Sequence, residues 1–325
     1  MEHSKRIRWA AVLAALLAAG SLPGCDGDDS TANDGGEVDA PVDGDAEADG
    51  EAGPTRRLTI FHTNDTHSHL MGTGPELEVS PGTTGDDPTD GGFARLATLL
   101  GERRAAAEAA GNAVLVTDGG DFTIGTPFEI LDEDAAPALA MFRHLGYDLL
   151  TLGNHELDES PDHLARMIEA AEALGFDIPI VSSSMTTSAS DARDDRVEAL
   201  MVDGAIVPEA TLTTPGGLVV GVLGWLGEAA AGVAPGKDPL AFGENPAELQ
   251  TRAAALKAAG ANVVLLLSHT GALAGASGRD QAIAGAAPDI DIILGGHTHD
   301  APTDVLMACD TMIIQAGSYA RYLAE

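Results

Sequence analysis

Short polar motifs rich in histidine, aspartate and asparagine recur along the chain, and each follows an apolar run typical of a β-strand. In order they are Asp65-Thr66-His67, Gly120-Asp121, Gly153-Asn154-His155-Glu156, Ser268-His269 and Gly295-Gly296-His297-Thr298-His299. Imidazole nitrogens and carboxylate or amide oxygens are ligands that suit Zn, Mn, Fe or Co. Side chains alternate along an extended segment, so Asp-x-His and His-x-His each place two ligands on one side. The pattern therefore predicts a metal centre.

The predicted ligand set is larger than one ion requires. It comprises Asp65, His67, Asp121, Asn154, His269, His297 and His299. A tetrahedral ion takes four ligands, whereas two ions that share a bridging carboxylate account for seven. No cysteine belongs to the set, which argues against a structural zinc site of the thiolate type. Each motif alone is common as a turn or a cap, but five in series favour two divalent ions of the Zn, Mn, Fe or Co group.

The elements that must position these motifs alternate between strands and helices. Strands are predicted over 58–62, 114–117, 149–152, 178–182, 263–268, 290–294 and 311–316. Helices are predicted over 94–110, 135–145, 161–174, 246–259 and 279–286. The runs 205–213 and 218–226 flank Pro215-Gly216-Gly217, which predicts a hairpin. Such alternation predicts an α/β domain with helices on both sides of the sheet material, and ligand sites collect at the strand ends.

The N-terminus has the layout of an export signal. Lys5, Arg6 and Arg8 precede an apolar run that ends at Leu22-Pro23-Gly24-Cys25. This end resembles the site at which bacterial lipoproteins are cut before a lipid-bearing cysteine. We therefore expect an exported protein, periplasmic or at the cell surface, that is held to a membrane by lipid at Cys25.

The segment that follows is acidic and almost devoid of apolar residues. Residues 26–53 contain 11 acidic residues and no basic residue. Such a segment cannot bury enough apolar surface to offset its ordering entropy. We expect a lipoprotein signal peptide over 1–24, an acidic disordered tether over 25–53 and a catalytic domain over 54–325.

Composition and charge exclude one class of partner. The chain has 325 residues, of which 17 are basic and 51 acidic, and its formal net charge is −34. Nucleic-acid polymers are bound through clustered lysine and arginine, so this acidity argues against such a partner. A small phosphate ester remains compatible with the charge, because bound metal ions reverse the local field.

The motif series resembles that of the calcineurin-like metallophosphoesterases. The segments 61–65 (FHTND), 151–158 (TLGNHELD) and 315–319 (QAGSY) are similar to the 5′-nucleotidase branch, which includes 2′,3′-cyclic-nucleotide phosphodiesterases. The resemblance covers about residues 57–323. It implies an α/β fold, a four-layer α/β/β/α sandwich of two mixed sheets flanked by helices.

The resemblance also implies a role for each matching residue. The first metal would be held by Asp65, His67 and His299, the second by Asn154, His269 and His297, and both by the bridging Asp121. His155 would contact the phosphate and the leaving oxygen, with Asp158 fixing its orientation. A hydroxide shared by the two metals would attack phosphorus in line.

The expected function is that of a dinuclear phosphoester hydrolase, a 5′-nucleotidase-like phosphomonoesterase. The alternatives are a cyclic phosphodiesterase, another two-metal ester hydrolase, or a non-catalytic metal-binding surface lipoprotein. Members of the branch usually carry a second domain that recognises the nucleobase, and this sequence stops at Glu325. We therefore expect the catalytic domain alone, with its nucleotide specificity left open.

Overall fold

Strands and helices alternate through the chain, as the sequence predicts. The computed structural model describes residues 56–74, 89–243, 245–271, 279–302 and 304–325, so the predicted signal peptide, tether and Cys25 lie outside the described residues. The strands are β1 Leu58–Thr63, β2 Ala113–Asp118, β3 Leu149–Thr151, β4 Ile180–Val181, β5 Met185–Thr186, β6 Ile206–Val207, β7 Glu209–Thr213, β8 Val219–Trp225, β9 Ala241–Phe242, β10 Val263–Ser268, β11 Ile292–Gly295, β12 Leu306–Ala308 and β13 Thr311–Gln315. The α-helices are α1 Phe93–Ala109, α2 Asp132–Ala135, α3 Pro137–Leu145, α4 Pro161–Ala173, α5 Asp195–Asp203, α6 Glu228–Ala231, α7 Ala247–Ala258 and α8 Arg279–Ala286.

Two sheets carry the fold. The first has the strand order β1-β2-β3-β4-β6, and all of its described ladders are parallel. The second has the order β12-β13-β11-β10-β8-β7, with parallel central ladders and antiparallel edge strands β7 and β12. The second sheet is therefore mixed as expected. The first is parallel apart from one antiparallel bridge between His62 and Ala324.

The layers follow from which residues are buried together. Leu115 and Val181 of the first sheet pack with Val222, Leu265 and Leu294 of the second, so the two sheets lie face to face. Helices α1, α3, α4 and α5 share a core with the outer face of the first sheet. Helices α7 and α8 share another with the outer face of the second. This confirms the four-layer arrangement of helices, sheet, sheet and helices.

The two sheets also touch through the backbone. The N–H of Ser183, just after β4, donates to the carbonyl oxygen of Gly224 in β8 at 2.7 Å, and the N–H of Gly224 donates to Oγ of Ser183 at 3.1 Å. A side chain at Gly224 would overlap the carbonyl oxygen of Val181. Glycine at this position therefore lets the two sheets come together.

Local details depart from the sequence prediction. The helix predicted over 135–145 is broken at Ala136, which has φ 40° and precedes Pro137. Proline disfavours the helical conformation in the residue before it, so α2 ends and α3 begins at this point. Helix α5 and edge strand β12 were not predicted. Within the described ranges, every helix is too short or too polar to span a bilayer.

Candidate metal centre

The predicted ligands converge where strand ends of both sheets meet. Asp65 and His67 follow β1, Asp121 follows β2 and Asn154 follows β3; His269 follows β10, and His297 and His299 follow β11. Most of their ligand atoms form compact triads whose members lie within 4.8 Å of one another. The first sheet thus supplies every carboxylate and amide ligand and one histidine, while the second supplies three histidines.

The first triad consists of Asp65, His67 and His299. The Nδ1–H of His67 donates to the carbonyl oxygen of Ile124 at 2.9 Å, so Nε2 carries the lone pair. This Nε2 lies 3.1 Å from Nε2 of His299, which in turn lies 3.3 Å from Oδ1 of Asp65. Two nitrogens and one carboxylate oxygen therefore face one another.

The second triad consists of Asp121, His269 and His297, and Asn154 lies against it. The Nδ1–H of His269 donates to the carbonyl oxygen of Gly119 at 2.7 Å, which again leaves the lone pair on Nε2. That Nε2 lies 2.9 Å from Oδ2 of Asp121. Nδ1 of His297 lies 2.8 Å from Oδ1 of Asn154.

Asp121 connects the two triads. Its Oδ2 is 2.9 Å from Nε2 of His269 and 4.0 Å from Nε2 of His67. Oδ1 of Asp65 lies 4.0 Å from Nε2 of His67 and also 4.0 Å from Nε2 of His269. The two triads therefore adjoin one another around two buried carboxylates.

The donor set fits two divalent cations. Nε2 of His269 is buried and has no assigned hydrogen bond among the described residues, although Oδ2 of Asp121 lies 2.9 Å from it. A proton or a cation must lie between a lone pair and a carboxylate at this distance. Burial alone would lower the pKa of His269, but the adjacent carboxylates of Asp121 and Asp65 and the hydrogen bonds of the ring together raise it. Ligands about 2.0–2.1 Å from one ion lie roughly 3–3.5 Å apart, as several of these atoms do.

The ligand loops have an unusual backbone conformation. Positive φ angles occur at Asp65 (51°), His67 (47°), Asp121 (55°), His297 (80°) and His299 (58°). Residues other than glycine rarely adopt this conformation, and each instance costs about 1–3 kcal/mol. Such strain persists only where the surroundings impose it, and it concentrates at functional sites.

Glu156 is a functional residue to which the sequence analysis assigned no role. Its carboxylate is buried, and Oε2 accepts the N–H groups of Asp121 at 2.9 Å and of Gly153 at 2.6 Å. Oε1 accepts the N–H groups of Phe122 and Thr123. One carboxylate thus joins the loop of Asp121 to the loop of Asn154. The signal in the sequence was its place within the polar motif 153–156.

Asn64 makes hydrogen bonds that connect Asp65 of the first triad to the segment after β13. Its Nδ2–H donates to Oδ2 of Asp65 at 2.5 Å and to the carbonyl oxygen of Gly317 at 2.7 Å. Its Oδ1 accepts the N–H of Ala316 at 2.7 Å. Asn64 therefore ties the segment after β13 to a predicted metal ligand, a contact between residues too distant in sequence to be predicted.

His155 lies beside both triads. A ring nitrogen of His155 belongs to a third cluster with His67 and Asp121, and the backbone N–H of His155 donates to Oδ1 of Asp121 at 2.8 Å. Its Nδ1–H donates to Oδ2 of Asp158 at 2.6 Å. Burial opposes protonation of His155, but the charges of Asp121 and Asp158 and this hydrogen bond raise its pKa. The pair is therefore suited to hold a proton at the edge of the centre.

Two further histidines lie nearby. His62 is buried in β1, with Nδ1 3.0 Å from Oγ1 of Thr117 and Nε2 3.1 Å from the carbonyl oxygen of Gly295. Burial lowers its pKa to about 4, so it is neutral and packs beneath the site. His69 is also buried, and its Nδ1–H donates to the carbonyl oxygen of His67 at 2.8 Å.

Comparison with known proteins agrees with this geometry. Residues 58–301 match the family model described as calcineurin-like phosphoesterase. The chain is 31% identical over 245 residues to a probable 5′-nucleotidase of Treponema pallidum, covering 74% of this chain and 36% of that protein. It is 30% identical over 242 residues to the 5′-nucleotidase of Bos taurus, covering 74% of this chain and 38% of that protein.

A solved structure extends the comparison to the fold. The 5′-nucleotidase precursor of Thermus thermophilus superposes with a TM-score of 0.64 at 25% identity, covering 82% of this chain and 50% of that one. The chain spans little more than a third of the length of the two curated relatives. The candidate ligands lie in loops at the strand ends of a four-layer sandwich, and residues 58–301 match the family model. The chain therefore belongs to the calcineurin-like phosphoesterase family.

Proposed function

We propose that the chain is a two-metal phosphoester hydrolase of the 5′-nucleotidase type, acting on a small ester such as a nucleotide. The observation that carries the proposal is the pair of triads joined by Asp121, with His155 and Asp158 beside them. Relatives named 5′-nucleotidase support a nucleotide as the substrate. The strongly acidic composition leaves bound cations as the main attraction for an anionic ester.

In this proposal each metal has its own ligands and shares one. The first metal would be held by Asp65, His67 and His299 and the second by Asn154, His269 and His297, and Asp121 would be available to both. Such ions supply Lewis-acid stabilisation of phosphate charge and a water-derived nucleophile at neutral pH. Their identity among Zn, Mn, Fe and Co is left open.

The chain's own residues orient the ester and move the proton. With Oδ1 of Asn154 turned toward His297, its Nδ2–H is directed to a phosphate oxygen. Nδ1–H of His155 is held by Asp158, so Nε2 carries the proton given to the departing oxygen. The carboxylate of Asp158 fixes the ring and stabilises its charged form.

Hydrolysis of a substrate panel tests the proposal. AMP, cyclic AMP and an aryl phosphate are incubated with the full chain and added Mn²⁺ or Zn²⁺. We expect AMP turnover, and a fall of about 10²–10⁴-fold in kcat for His155→Ala with both metals retained. The control is His144→Ala, an exposed histidine on α3. Turnover of cyclic AMP alone would favour a cyclic phosphodiesterase, and no turnover with two metals bound would favour a non-catalytic lipoprotein.

We also propose that residues 1–24 are an export signal, that 25–53 form a tether, and that Cys25 carries a lipid anchor. The support is the order of basic residues, apolar run and cysteine. Cys25→Ala should release the protein from the membrane fraction. Retention there, or an intact mass without the added lipid, would contradict the anchor.

A further inference from the structure

Tyr319, in the segment after β13, packs against three histidines at the metal centre. Its ring centroid lies 5.6 Å from that of His67, 5.3 Å from that of His299 and 4.5 Å from that of His69. The first two are the histidines of the first triad. Their own rings meet edge to face at 5.0 Å. Tyr319 therefore forms a wall against both imidazoles of one triad.

The backbone fixes the position of this ring. The N–H of Tyr319 donates to the carbonyl oxygen of Asp65 at 2.7 Å, and its φ is 60°. Gly91 packs closely against the carbonyl oxygen of Tyr319. A Cβ atom added to Gly91 would lie 2.9 Å from that oxygen. The guanidinium of Arg321 lies 6.0 Å from the ring centroid. A strained backbone held on several sides indicates a ring that has one defined orientation.

The histidines of the two triads differ in their surroundings. His299 is the more exposed ligand, with 32% of its side chain accessible, whereas the side chain of His269 is completely buried. The ring of His269 packs with that of His297 at 5.2 Å. The ring of His299 instead makes edge-to-face contacts with the rings of His67 and Tyr319.

We propose that Tyr319 is a positioning residue that holds His67 and His299 in the orientation that binds the first metal. The inference rests on the proposed two-metal function and adds a residue that contacts no substrate. Partners behind metal ligands typically change metal affinity by about 10–100-fold when they are removed. Removing the ring should therefore weaken the first site by about that factor and leave the second site unchanged.

Metal titration of the apo protein tests this selectivity. Full-length protein stripped of metal is titrated with Zn²⁺ in competition with a chromophoric chelator, which gives the stoichiometry and both dissociation constants. We expect two Zn²⁺ sites in the wild type. In Tyr319→Ala, one site should keep its dissociation constant and the other should bind Zn²⁺ about 10–100-fold more weakly. Tyr319→Phe keeps the aromatic face and should match the wild type. Excess Zn²⁺ should restore the kcat of Tyr319→Ala.

Val202→Ala is the control, because this side chain lies on helix α5 and is 79% exposed. Its two dissociation constants should equal those of the wild type. Equal weakening of both sites in Tyr319→Ala, or no weakening of either, would overturn the inference. Circular dichroism checks that the variant folds, and Tyr319→Leu replaces it in the same titration if it does not. Fewer than two sites in the wild type would instead contradict the proposed function.

Discussion

A single buried carboxylate holds the loops that carry ligands of both proposed metals. Glu156 accepts backbone N–H groups from Asp121 and Gly153 through one oxygen and from Phe122 and Thr123 through the other. Four buried donors therefore depend on it. An unsatisfied buried donor costs about 1–3 kcal/mol. Loss of the Glu156 carboxylate should therefore disturb the backbone of both loops.

Glu156→Gln should disrupt both metal sites together. The amide retains the shape but turns an NH₂ group toward N–H donors, so at least one pair of hydrogen bonds is lost. We expect unfolding to become easier by about 2–4 kcal/mol and both Zn²⁺ constants to weaken, in contrast to Tyr319→Ala. Denaturant unfolding and the chelator titration measure the two effects. Glu159→Gln, at an exposed side chain, is the control; equal stability of the two variants would refute this role.

A second buried acid should make stability depend on pH. Asp132 is 1% exposed, and neither carboxylate oxygen has a hydrogen-bond partner within the described part of the chain. Burial raises its pKa to about 7 despite the opposing effect of His163. Between about pH 4 and 7 the folded state keeps a proton that the unfolded state releases, so the free energy of unfolding falls as pH rises.

Asp132→Asn should reduce the fall in the free energy of unfolding that accompanies a rise in pH. The amide stays neutral, so the variant should gain about 2.5 kcal/mol on the wild type between pH 5 and pH 8. Denaturant midpoints at the two pH values give the difference. Asp177→Asn, at a side chain 87% exposed, should follow the wild type. Parallel pH profiles for Asp132→Asn and the wild type would contradict the assignment.

The candidate ligands were recognisable in the sequence, whereas the residues that support them from elsewhere in the chain were not. Imidazole and carboxylate motifs after apolar runs led to all seven candidate ligands, and the structure brings them together. Asn64 and Tyr319 act across about 250 residues of sequence, on contacts that no local spacing encodes. The positive φ angles of the ligands also depend on neighbouring loops rather than on residue type.

At the scale of elements, runs of apolar residues located the strands, and breaks in helices came from proline. The predicted strand 263–268 has the bounds of β10, and the predicted helix 279–286 those of α8. The run 205–213 was predicted as one arm of a hairpin, but Pro208 divides it between the two sheets. Residues 205–207 are all apolar and residues 209–213 alternate between polar and apolar, but neither pattern specifies which sheet a strand joins, so tertiary packing assigns β6 and β7 to different sheets.

Gly224→Ala should separate the sheets at the point where they touch. The new methyl group would overlap the carbonyl oxygen of Val181, which belongs to the other sheet and cannot rotate away. We expect destabilisation of about 3 kcal/mol, at the upper end for overpacking. Gly216→Ala is the control, because its added Cβ has Thr214 as its nearest neighbour at 4.0 Å. Equal unfolding midpoints for the two variants would show that the sheets can move apart freely.

At the scale of the whole molecule, the proposed metals connect the two halves of the sandwich. The first sheet contributes Asp65, Asp121 and Asn154, and the second contributes His269 and His297. Metal that binds the folded chain alone stabilises it by about 2.7 kcal/mol per site at a hundredfold excess over the dissociation constant.

Metal removal should therefore lower the unfolding temperature markedly. For two sites and a domain of this size, we expect a difference of roughly 10–20 °C between metal-loaded and chelator-treated protein. Scanning calorimetry of both forms measures it. Asp121→Asn removes the shared ligand and should abolish most of the gain. A gain that survives in this variant would place the bound metal elsewhere.

The division of ligands between the two sheets has a consequence for biosynthesis. Asp65 and the residue that donates to it, His297, are separated by 232 positions. At about 5–20 residues per second, a ribosome needs roughly 10–50 s to make the chain between them. Until then the nascent chain lacks the histidines that follow β11, His297 and His299. The centre can therefore assemble only after most of the polypeptide has been made, so the compartment in which folding finishes decides which metals are available to it.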